Sequence, residues 1–236
     1  MSEIKLESIV PPLERHRKAI RIIWWIFILA GSFLLGVLFG ALDVEPAARV
    51  RTEILWLILV GGGTIAVNLL WGFQMAKAIN SLSPLLMEDP DRYMAGIHLL
   101  LDGKKGRGTT AIRLINLSAA CTRKQDYAAA RAYLEQLDPK KLPKPNRPVY
   151  WLDMALNLFF LGENEKALAI MEEQRALFDA NRAGPTGPLI SLLDIFEALA
   201  RNGKEAALKR LEEVKARGFG TEYQAYLEEV EKILAE

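Results

Sequence analysis

Apolar residues follow two different patterns along this chain. From Ile22 to Leu42 they run almost unbroken, "IIWWIFILAGSFLLGVLFGAL", without a charge. From Ile54 to Ala76 a second uncharged run follows, "ILWLILVGGGTIAVNLLWGFQMA". After Ile79 the pattern changes. Apolar positions now recur every three or four residues, the period of a helix with one buried face, and never alternate as in a strand. The expected helices cover 91–102, 109–123, 126–137, 147–160, 164–179, 187–201, 204–216 and 221–235. Breakers separate them, among them Gly103, Gly106 and Gly108, the proline-rich "PKKLPKPNRP", "AGPTGP" and "GFG". Thr221 with Gln224 offers a capping box for the last helix.

The two unbroken runs each reach the roughly 20 residues that a helix needs to cross a hydrocarbon core of about 30 Å. The first is also too long for the apolar core of a cleaved leader, and a second run follows it. The pattern therefore predicts an all-α chain in two parts. Residues 1–80 form a basic N-terminal segment and a two-helix transmembrane hairpin, with spans at about 22–42 and 54–76. Residues 81–236 form a soluble helical domain.

Charge orients the hairpin. Lys5, Arg15, Arg17, Lys18 and Arg21 precede the first span, and Lys77 follows the second. In the turn, Arg49 and Arg51 are offset by Asp43, Glu45 and Glu53. Basic residues stay on the cytoplasmic side, so both termini are expected there, in a plasma membrane of bacterial type by analogy. Trp24, Trp25 and Trp71 would sit near the inner interface and Trp56 near the outer one. Ser32, Gly36 and Gly40 repeat every four residues, as do Gly62 and Ala66 on the second span. These small faces are expected to close the hairpin, and the Gly36–Gly40 face offers a second use in homo-oligomer formation.

Three soluble segments repeat a pattern. They are "LINLSAACTRKQDYAAARAYLEQLDP", "WLDMALNLFFLGENEKALAIMEEQ" and "SLLDIFEALARNGKEAALKRLEEV". Each is an apolar helix, a polar turn and a second helix with a small residue at a fixed place: Ala130, Ala167 or Ala207. Leu134, Met171 and Leu211 follow four positions on, and Gln125, Gly162 and Asn202 mark the turns five positions before. Over about 109–216 this resembles the tetratricopeptide repeat family, although the alanines are 37 and 40 residues apart rather than about 34. The resemblance implies a solenoid of stacked hairpins, with the alanines at helix crossings and the larger residues between hairpins. It also implies a concave face that binds a protein or peptide. By face, Arg113, Asn116, Asp153 and Asn157 are the candidate contacts.

Other chemistry finds little support. Net charge is +1, which speaks against a dedicated nucleic-acid binder. One cysteine, Cys121, and two distant histidines, His16 and His98, supply no metal or nucleophilic constellation. "GKKGRGTT" lacks the lysine before Ser/Thr and the strand of a phosphate loop, and is expected to link helices with Thr109 or Thr110 as N-cap. "MEDPDRY" is expected to start a helix, Pro90 entering its first turn. Glu172 and Glu173, adjacent on a helix, diverge by about 100° and are expected to be solvated. The basic loop 140–147, with Lys140, Lys141, Lys144 and Arg147, is expected to connect repeats, with contact to anionic lipid as the other reading. The resulting expectation is a cofactor-free, non-enzymatic, membrane-anchored interaction scaffold. The alternative is an accessory subunit of a transport or envelope complex that acts through its hairpin.

Overall fold

The computed structural model describes residues 6–42, 44–218 and 224–235, so Lys5, Asp43 and the Thr221 cap lie outside the described residues. Every regular element among them is helical. Fourteen α-helices occur: α1 (Leu6–Ile9), α2 (Pro12–Arg15), α3 (Arg17–Ala41), α4 (Pro46–Asn80), α5 (Ser83–Glu88), α6 (Pro90–Leu101) and α7 (Arg107–Arg123). They continue with α8 (Tyr127–Glu135), α9 (Arg147–Phe160), α10 (Asn164–Glu173), α11 (Arg175–Asn181), α12 (Gly187–Asn202), α13 (Lys204–Ala216) and α14 (Gln224–Ala235). The chain divides into two units, Met1–Leu82 and Ser83–Glu236.

In the first unit, α3 and α4 are long and apolar enough to cross a membrane. At 1.5 Å per residue, the 25 residues of α3 extend about 37 Å. Their apolar side chains point outward; Phe33 is 72% and Leu69 is 69% exposed. A surface of that character suits a non-aqueous surrounding.

Two reciprocal contacts hold the pair together. The Trp24 ring of α3 lies on Gly63 of α4, and the Trp56 ring of α4 lies on Gly31 of α3. A Cβ at Gly31 would stand 2.3 Å from Trp56, and one at Gly63 would stand 2.6 Å from Trp24. Only a residue without a side chain fits either place. Each indole N–H donates across the hairpin, Trp24 Nε1 to Thr64 Oγ1 and Trp56 Nε1 to Ser32 Oγ, both at 3.1 Å. Phe27 bridges the two indoles, with ring centroids 5.4 Å from Trp24 and 5.3 Å from Trp56. The expected closure through Gly36, Gly40 and Gly62 is therefore corrected. Nothing lies within 4 Å of a Cβ placed at any of these three, so they face outward. Of the expected small residues, Ser32 does join the contact, through its hydroxyl.

In the second unit, consecutive helices pair as hairpins: α6 with α7, α7 with α8, α9 with α10, and α12 with α13. The first helices also stack on one another, α7 on α9 and α9 on α12. Ala130, Ala167 and Ala207 are fully buried, and Leu134, Met171 and Leu211 are buried with them. An aromatic ladder runs through the stack. Tyr127 stacks on Phe160 at 4.5 Å, Phe160 meets Phe196 edge-on at 5.1 Å, and Phe196 stacks on Phe159 at 5.2 Å.

Further short elements lie in the intervals between the alanines. Two short 3-10 turns, Pro139–Lys141 and Lys144–Asn146, lie between α8 and α9. Between α10 and α12 lies the extra helix α11. The single helix expected over 164–179 is thus two, divided at Gln174.

The hairpin turns are not equivalent. Gln125 and Gly162 both take positive φ, 61° and 74°. In each, the next N–H bonds back five residues, Asp126 to Cys121 O and Glu163 to Leu158 O, both at 2.9 Å. This closure satisfies carbonyls at a helix end that would otherwise lack partners. In the third hairpin Gly203, not Asn202, takes positive φ, and it is the single residue between α12 and α13, against three in each of the other two turns. At the other end of α7, the N-cap is Gly106, so the helix starts three or four residues before the expected cap at Thr109 or Thr110, which lie within its first turns. Asp89 does cap α6, accepting from Arg92 N at 3.0 Å, with Pro90 in the first turn.

Two outcomes follow from these geometries. Gly31→Val forces the Trp56 ring away, so tryptophan emission of the detergent-solubilised chain shifts to the red; Gly36→Val leaves it unchanged. Gln125 holds a conformation costly for a side chain with a Cβ. Gln125→Gly therefore raises stability by about 0.5–1 kcal/mol in thermal unfolding, whereas Gly162→Gln lowers it.

Candidate partner-binding groove

The first helices of successive hairpins border a groove of about 480 Å³ in the second unit. Leu86 and Met87 of α5, Ile112, Ile115 and Asn116 of α7, and Val149 and Asp153 of α9 line it. Leu189 of α12 and Tyr226 of α14 also line it. The groove follows from the stacking: α7 and α9 each bury one face against α8 and α10 and leave the other toward the concavity. Helix α14 contributes by folding back. Tyr127 OH donates to Glu229, and the Arg123 guanidinium lies 5.5 Å from the centre of the Tyr226 ring.

The four residues expected to contact a partner fall in different places. Asn116 and Asp153 both line the groove. Arg113 is not part of that lining; it pairs with Asp102 at 2.8 Å, and Asp102 also accepts from His98 Nδ1 at 3.0 Å. That guanidinium holds the Asp102 carboxyl below the usual carboxylate range. Asn157 requires a correction. It is fully buried, accepts from Thr122 Oγ1 at 2.9 Å and donates to Asp153 O at 2.7 Å. It ties α7 to α9 and has no face left for an outside partner in this conformation.

Asp153 has an unusual environment. The residue as a whole is half-buried, yet its Oδ2 is sealed from solvent and has no hydrogen-bond partner. Burial pushes its carboxyl up to about 7. Nearby, Tyr93 OH donates to Asn116 Oδ1, so that oxygen is already in use. Burial, and secondarily the Asp153 charge, raise the Tyr93 phenol above its ordinary range.

Other charged clusters are occupied internally. In a cleft between α11, α12 and α13, Asp194 accepts two bonds from Arg182, at 2.7 and 3.0 Å, and one from Arg210 at 2.8 Å. Glu197 accepts from Arg175 at 2.9 Å and Arg201 at 3.0 Å. The same Arg201 reaches Glu172 at 3.1 Å, while Glu173 is exposed. In the basic loop, Lys141 pairs with Asp138 at 2.8 Å and Arg147 donates to Leu142 O at 3.1 Å. Cys121 is buried, and burial pushes its thiol up, away from the nucleophilic thiolate.

What the sequence reasoning missed is the glycine–indole closure and the isolation of Asp153. The first had a visible signal: Trp, six residues, Gly and then a hydroxyl residue occur on both spans, as Trp24–Gly31–Ser32 and Trp56–Gly63–Thr64. The second had none, because one helix face does not disclose how deep a neighbour covers it.

No family model, curated protein or solved structure matches this chain.

The Asp153 geometry sets a pH dependence. Between about pH 4 and 7 the folded chain keeps this proton while an unfolded aspartate has released it. The unfolded state then binds fewer protons, so stability falls as pH rises through that window. Asp153→Asn removes this decline and stabilises the chain above pH 7 by on the order of 4 kcal/mol, read by thermal unfolding from pH 4 to 8.

Proposed function

We propose that this chain is a membrane-anchored interaction module of tetratricopeptide-like construction. The hairpin of α3 and α4 fixes it in a membrane, and the helical unit presents its groove to a protein or peptide. The observation that carries this reading is the groove itself, formed where α7 and α9 turn their free faces to one concavity. The first helices stack on one another, α7 on α9 and α9 on α12, and each pairs with the helix that follows it, as the hairpins of a repeat solenoid do. Anchoring raises the effective concentration of the groove near other membrane proteins. Both termini lie on the cytoplasmic side of a bacterial plasma membrane, a reading supported by Arg15, Arg17, Lys18, Arg21 and Lys77 flanking the two long helices.

A second reading is an accessory subunit of a transport or envelope complex, working through the hairpin. Its support is that Gly36, Gly40 and Gly62 are open on the outside of the hairpin, where another helix could approach closely.

A photo-crosslinking amino acid at Val149 in the groove separates the two. Protein adducts in native membranes from Val149, and none from exposed Glu173, are expected. Adducts that form only from Gly36 and Gly62 sink the groove reading and favour the second. A reporter fused after Glu236 is expected to be active only if cytoplasmic; an external signal overturns the topology.

A further inference from the structure

We propose that the groove between α5, α7, α9, α12 and α14 binds a peptide segment presenting a lysine or arginine among apolar residues, with that cation pairing to Asp153. The proposal rests on the binding-module reading above and specifies the chemistry of its ligand.

The central observation is the unsatisfied carboxyl. A buried oxygen without a partner is costly, and a buried carboxylate far more so. Two events relieve the cost: the group takes a proton, or a cation reaches it. Its elevated proton affinity, caused by burial, reflects the first in the empty groove. A guanidinium or ammonium supplies the second with charge-assisted hydrogen bonds. Nothing holds Oδ2 in place, and the terminal torsion of aspartate is soft, so the carboxyl can turn an oxygen toward the groove at little cost.

The surroundings select the kind of cation. Among the described residues that line the groove, Asp153 is the one carboxylate, and no lysine or arginine lines it. An anion would meet a lone negative charge and no donor cluster. A hard metal ion needs six or more oxygens, and the Asn116 carbonyl already accepts from Tyr93. Lysine and arginine instead carry their charge on methylene stems that lie well on apolar walls. Met87, Ile112, Val149 and Leu189 provide such walls and leave room for apolar neighbours on the ligand. Two basic groups of α7 are engaged elsewhere, Arg113 with Asp102 and Arg123 over Tyr226. At about 480 Å³ the groove has the size of a site for a few side chains.

The test uses the full chain in lipid nanodiscs and a random heptapeptide phage library. Selection on the unaltered chain is expected to enrich peptides with one lysine or arginine at a fixed place among apolar residues. A synthetic peptide from that pool should bind Asp153→Asn about tenfold more weakly. Replacing its basic residue by methionine should cause a similar loss, and the two changes together should cost no more than either. Thermal unfolding of Asp153→Asn checks that the fold is intact. Enriched peptides without a basic residue, or equal binding to Asp153→Asn, overturn the cation assignment while leaving a binding groove. Failure to enrich any peptide over the groove-filling variant Val149→Trp overturns both the assignment and the binding-module reading.

Discussion

A large ring can lie against a helix only where that helix gives up side-chain volume, and the hairpin of α3 and α4 is organised by that constraint. In the first unit the places are Gly31 and Gly63, each covered by an indole from the opposite helix. In the second unit Ala130, Ala167 and Ala207 are all without solvent exposure. Around such points larger residues interlock: Phe27 between the two indoles, and Leu134, Met171 and Leu211 in the hairpin core. Without a small residue at the crossing, the helices would stand further apart and the surrounding dispersion contacts would be lost. The groove is a downstream result, because its width depends on how closely α7 and α9 stack.

Much of this was legible in the sequence. The three-and-four spacing located most helices from residue 90 onward but joined α10 and α11 into one, and the uninterrupted apolar runs located α3 and α4. Small-residue spacing was less informative in the spans. A repeat of four says that Gly36 and Gly40 share a face, but not which face meets the other helix. The tryptophans decide that, since an indole must find both a flat place and an acceptor for its N–H. The positive φ at Gln125 was hidden because glutamine carries no hint of it, whereas Gly162 does. Likewise Asn157 looks like any polar residue on a first helix. Its burial is explained only by Thr122, 35 residues away, whose hydroxyl it receives.

The second unit handles buried polarity in two ways. Asn157 is fully used, with bonds from Thr122 and to the Asp153 carbonyl, and it fixes the relative position of α7 and α9. One turn earlier, the Asp153 side chain is left unsatisfied beside the groove. The contrast separates a polar group that builds the scaffold from one whose needs the scaffold does not meet. Asp194, with three guanidinium bonds, belongs with the first kind despite its charge.

The paired indole contacts of the hairpin also bear on its mechanics. Trp24 and Gly31 lie seven residues apart on α3, about 10 Å along the axis. Trp56 and Gly63 repeat that interval on α4. A single point of closure would leave the two helices free to pivot. Two points at matched intervals fix both rotation and register, since sliding by one turn, about 5.4 Å, lifts both rings off their glycines at once. Leaving this register therefore means unseating both rings together.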